Sequence, residues 1–79
     1  MKKFKVGQKY EWTDWFTGGS LFYTVEKIEG DEITLSYVDY EIDGTFTNNV
    51  TYKILTDDNG NERILKCEYH GHKGYINAL

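Results

Sequence analysis

The chain has 79 residues and a formal net charge of -4, with one cysteine, no proline and 16% aromatic residues, seven of them Tyr. That length points to a single domain over 1–79, and about 40% of its unfolded surface stays exposed after folding, so large rings must supply much of the core. One cysteine, Cys67, excludes an internal disulfide, and no run approaches the ~20 apolar residues of a membrane-spanning helix.

The N-terminal stretch MKKFKVGQKY has the basic flank of a signal peptide without an apolar run behind it, so a cytoplasmic protein is expected. Eight lysines against one arginine, with frequent Asn, Ile and Tyr, suit an AT-rich bacterium or its phage. From Val6 to Trp12 the pattern alternates Tyr10 and Trp12 with Lys9 and Glu11, which predicts a first strand with Trp12 in the core. The stretch TDWFTGGS follows. Trp15 and Phe16 are consecutive, so in an extended segment they point opposite ways and cannot both enter the core. Either the segment folds over an open end of the domain, or it presents rings to a partner.

Three dipeptides suited to two-residue hairpin turns come next: Gly30-Asp31, Asp43-Gly44 and Asn59-Gly60. A turn at Gly30-Asp31 sets Ile28 opposite Ile33 but Glu26 opposite Leu35. A bulge between Val25 and Ile28 restores Val25 and Tyr23 to the inner face. A turn at Asp43-Gly44 pairs Ile33, Leu35 and Tyr37 with Ile54, Tyr52 and Val50. A turn at Asn59-Gly60 pairs the same three residues of that shared strand with Leu65, Cys67 and Tyr69, which leaves Ile64 outside with Leu55. Tyr75 to Ala78 is expected to form a short last strand after a loop over Gly71 to Gly74.

No segment has helical periodicity, so the expected fold is all-β. It is a five- to six-stranded antiparallel meander that must curl to bury one apolar face. A long first connection followed by tight turns resembles the SH3-like barrel in strand order and loop length. An OB-like barrel and a sheet completed by a dimer partner are the alternatives.

The partner-binding residues expected from this layout are Trp15, Phe16, Tyr69 and Tyr75, since aromatic rings beside such a loop hold extended peptides. Val38, Tyr40 and Ile42 fall on the outward parity of their strand and form a second candidate, a homodimer contact. The stretch KCEYHGHKGY brings Cys67, His70 and His72 close in sequence. Alternation puts Cys67 and His70 on opposite faces, and two histidines fall short of the four ligands of a structural zinc site. Neither a metal, a cofactor nor a catalytic constellation is expected.

The acids Glu26, Glu29, Asp31, Glu32, Asp39, Glu41 and Asp43 face a single Lys27 in their stretch, which disfavours nucleic acid. The function expected is a non-enzymatic interaction module that binds a protein or peptide through the aromatic loop. The alternative is a small acidic inhibitor, from a phage or mobile element, that blocks a basic nucleic-acid-binding cleft. A metal-binding or hydrolytic site at the two histidines is a third and weaker reading.

Overall fold

The computed structural model describes residues 1–13, 19–41 and 44–79, with the side chains of residues 39–46 outside the description. Among the described residues there are seven strands and no helix, so no helix is long and apolar enough to cross a membrane. The strands form two antiparallel sheets. The larger has the order β1-β2-β3-β4, with β1 Lys9–Thr13, β2 Ser20–Glu29, β3 Glu32–Glu41 and β4 Gly44–Lys53. The smaller has the order β5-β6-β7, with β5 Leu55–Thr56, β6 Glu62–Tyr69 and β7 His72–Asn77. Among the described residues no closed barrel is found and no ladder joins the two sheets.

The chain passes from one sheet to the other at Ile54. This residue is buried between β4 and β5, and its N–H donates to the Asp31 carbonyl. The shared central strand expected from the turn pattern is therefore two strands in two sheets. The inner faces meet in a core of Tyr10, Tyr23, Val25, Ile33, Leu35 and Ile54 from the larger sheet and its exit, against Ile64, Ile76 and Ala78. The N-terminal segment closes one end. Phe4 packs edge-on against Tyr10 with ring centroids 5.3 Å apart. The Phe4 N–H donates to Glu62 Oε1 at 2.9 Å, and the Glu62 N–H donates to the Lys2 carbonyl at 2.8 Å. Residues Lys5 to Gln8 then turn back, with Gly7 at φ 89° and the Gln8 N–H donating to the Lys5 carbonyl at 3.1 Å. That positive φ is the reason for glycine here.

The hairpins depart from expectation in instructive ways. Gly30-Asp31 is the two-residue turn predicted, with Ile28 opposite Ile33. The bulge also lies where parity required it, between Val25 and Lys27. In the next hairpin Glu41 pairs with Gly44, so the connection is residues 42–43 and not Asp43-Gly44. The register moves by two, to Ile33 with Tyr52 and Leu35 with Val50. A slip of two leaves every side chain on its expected face.

The third hairpin is a five-residue connection, since Thr56 pairs with Glu62. Asp57 organises it: its Oδ1 accepts from the N–H groups of Asn59 and Asn61, each at 2.9 Å. The backbone hydrogen bond from Asn61 is the main cause that holds the Asp57 carboxyl below its usual pKa.

The register of the smaller sheet overturns one expectation outright. Ile64 is fully buried, at 0% exposure, and pairs with Ile76; Leu65 lies on the opposite side with Tyr75. The cause is the five-residue connection, which pairs Leu55 with Arg63 and so sets Ile54 across from Ile64, where a two-residue turn would set it across from Leu65. A second bulge follows, between Leu65 and Cys67. It lets Lys66 and Cys67 both turn inward, which strict alternation forbids. The last strand begins at His72 and not after Gly74, because His70 and Gly71 form a two-residue turn with φ of 48° and 80°. Two successive positive φ values favour a pair ending in glycine.

A candidate binding cleft where two strands part

The ladder between β2 and β3 runs from Glu29 and Glu32 to Thr24 and Ser36, and stops. Both strands continue beyond that point with other partners. β2 goes on with β1, as far as Ser20 opposite Thr13, and β3 goes on with β4, as far as Glu41 opposite Gly44. The larger sheet is therefore forked. At the fork the Tyr23 and Tyr37 rings meet on the inner face, tilted 58° to each other with centroids 5.3 Å apart.

The position of Trp12 gives a physical reason for the fork. A Cβ on Gly74 of β7 would collide with the Trp12 ring and lie 3.0 Å from Cys67 Sγ. Glycine at 74 thus opens a seat for the indole, which ties the β1–β2 arm to the smaller sheet. Trp12 is half-buried and packs against the core, close to what its parity predicts.

On the outer face the fork leaves a cleft of about 210 Å³. Phe22 and Val38 line its two sides, 63% and 40% exposed. Thr24, Ser36 and Thr47 add hydroxyls, and Lys9 stands at the rim. Ser36 is buried, and its hydroxyl donates to Oε1 of Glu26, the bulged residue of β2. The volume lies below the ~300 Å³ at which small-molecule pockets begin, so the cleft fits one large side chain better than a whole ligand.

Of the residues singled out in the sequence, Trp15 and Phe16 lie outside the described residues, between Thr13, the last residue of β1, and Ser20, the first of β2. Val38 is exposed on the outer face as expected. The Tyr40 side chain and Ile42 lie outside the described residues. Tyr69, 47% exposed, ends β6 with its ring edge-on to His70 at 4.0 Å. Tyr75 is half-buried on the outer face of the smaller sheet, with the Arg63 guanidinium 4.1 Å from its ring centroid. The structure thus does not gather Tyr69 and Tyr75 around the cleft. Phe22 was the residue missed. Its signal was present, a ring on the polar parity of an alternating strand, LFYTV, beside Tyr23 and Val25.

The histidine stretch is a hairpin end. Cys67 turns toward Trp12 and Gly74, while His70 and His72 are exposed at the turn. Among the described residues no group of three or more His, Cys, Asp or Glu side chains is placed to hold a metal ion. Lys66, the bulged residue of β6, reaches between the sheets to the rings of Tyr23 and Tyr52, at 5.3 and 5.6 Å. Burial lowers its pKa, but hydrogen bonds with the Tyr52 and Tyr23 hydroxyls outweigh this and the net shift is upward.

Comparison with family models, curated proteins and solved structures finds no match for this chain.

Proposed function

We propose that this chain is a non-enzymatic interaction module that binds a protein or peptide through the cleft at the fork of the larger sheet and the adjoining segment with Trp15 and Phe16. The observation that carries the reading is the exposure of Phe22 and Val38 on either side of a concave site, on a face whose other described side chains are Thr, Ser, Asn and charged. Exposed apolar groups around a recess lined with hydroxyls suit an extended peptide with one large apolar anchor. The proposal extends to an SH3-like layout, in which a long first connection followed by hairpins flanks an aromatic groove.

Selection from a displayed random-peptide library tests it. Enriched sequences should share a large apolar residue, and Phe22→Asp should abolish binding while leaving the circular dichroism spectrum unchanged. Enrichment of no common anchor, or binding that survives both Phe22→Asp and Phe16→Ala, would overturn the reading.

One observation favours the acidic-inhibitor alternative. Glu29, Asp31 and Glu32 are all exposed around the Gly30-Asp31 turn, with Lys27 on Glu29 at 2.7 Å and Lys53 on Asp31 at 3.8 Å as their ion-pair partners among the described residues. Charge reversal at these three acids separates the two ideas: it destroys inhibition of a basic target and leaves a peptide anchored in the cleft in place.

A further inference from the structure

Four strands lie at sheet edges, and three of them are protected against pairing with another chain. β1 has five residues with Lys9 and Glu11 among them, β5 has two residues, and β7 carries His72 and Lys73 at one end. Short length and charge are the usual ways of blunting an edge. β4 has neither. It is ten residues long, GTFTNNVTYK, its pairing with β3 is free of bulges, and no charged residue or proline occurs from Gly44 to Tyr52. At its far end Tyr52 lies under Lys66 of β6, so the open stretch is residues 44–51.

We propose that this edge pairs antiparallel with β4 of a second copy of the chain, which makes one continuous eight-stranded sheet across a two-fold axis. A two-fold axis normal to the sheet pairs residues of equal parity, so polar and apolar faces match without adjustment. Centred on Asn48, the pairing sets Thr47 against Asn49, Thr45 against Thr51 and Phe46 against Val50. Hydroxyl pairs and an aromatic–β-branched pair are favourable across strands. Charge selects this occupant. Lys53, the one charged residue of β4, arrives at the end of the partner's hairpin, where Glu41 pairs with Gly44 and Asp39 with Phe46. The basic end of each copy thereby meets the acidic end of the other.

The test is sedimentation velocity over a concentration series, with amide hydrogen exchange on the same samples. Wild type should show reversible dimerisation, with exchange across residues 44–51 slowing as dimer forms. Thr47→Lys with Asn49→Lys places like charges across the axis at two exposed positions, and should raise the dimer Kd at least about tenfold with the far-UV spectrum unchanged. Lys53→Glu should weaken the dimer in the same direction. A monomer at every concentration overturns the proposal. So does a dimer that persists in the double-lysine variant, or one whose β4 amides exchange as they do in the monomer, because its contact then lies elsewhere, for instance at Val38.

Discussion

Each sheet carries one bulge, and the two do opposite things. In β2 the extra residue is Glu26, which stays on the outer face and accepts a hydrogen bond from Ser36. In β6 it is Lys66, which turns inward between the sheets beneath Tyr23 and Tyr52. The first bulge repairs an alternation that would otherwise place a carboxylate in the core. The second lets Lys66 and Cys67 both turn inward, after the five-residue connection has already set Ile64 and not Leu65 on the inner face. A bulge is therefore legible when the regular strand it interrupts is chemically wrong, and silent when both parities offer an apolar residue.

The sharpest way to break this comparison is to truncate the two neighbours in β6. Ile64→Ala removes a fully buried side chain and should cost about 3 kcal/mol of unfolding free energy, whereas Leu65→Ala, half-buried on the outer face, should cost about 1 kcal/mol. Denaturant melts of the two variants measure the difference. Equal losses, or the reverse order, would show that β6 keeps the register of a two-residue turn, with Leu65 inward.

Gly74→Ala should come next, at about 2 kcal/mol, because the added methyl displaces the Trp12 ring and crowds Cys67 in a packed contact between the sheets. Combining it with Trp12→Leu should recover part of the loss, since the smaller side chain vacates the seat. A double-mutant cycle with no coupling energy would detach Trp12 from Gly74, and with it the explanation of the fork.

The smallest effect concerns pH. The Lys66 pKa is raised in the folded chain, so its contribution to stability is fully present below the ordinary value of 10.5 and is lost as pH rises through the raised one. Tyr10, whose pKa burial also raises, loses stability in the same direction above 10.0. Lys66→Met should accordingly flatten the alkaline limb of the stability profile and leave the portion due to Tyr10. An unchanged limb would place the lysine in solvent, away from Tyr23 and Tyr52.

The faces of the larger sheet were readable in the residues because its strands alternate cleanly: Tyr23, Val25, Ile33 and Leu35 point inward in both the pattern and the fold. The Gly30-Asp31 turn and the Glu26 bulge were readable for the same reason. Register was less so. A slip of two residues at the β3–β4 hairpin preserves every face, so side-chain pattern alone does not distinguish the two pairings. At Asn59-Gly60 the turn chemistry is good for two residues, but the Asp57 side chain accepts from two backbone N–H groups, those of Asn59 and Asn61, and makes a longer connection stable.

Of the candidate site, the exposure of Val38 followed from parity and that of Phe22 was available from it. The cleft between them was not. It goes with the contact of Trp12 with Gly74, 62 residues away in the chain, which ties the β1–β2 arm to the smaller sheet.

The sequence by itself determined the all-β class, the order of the hairpins and the inner face of the larger sheet, since these depend on local turn chemistry and on a period of two. The tertiary structure decided that the strands divide into two sheets at Ile54, that β6 reverses its parity at Lys66, and that β2 and β3 part above Thr24 and Ser36. Each of these depends on contacts between residues far apart in the chain, such as Trp12 against Gly74 or the Ile54 N–H on the Asp31 carbonyl, which a local period of two does not encode.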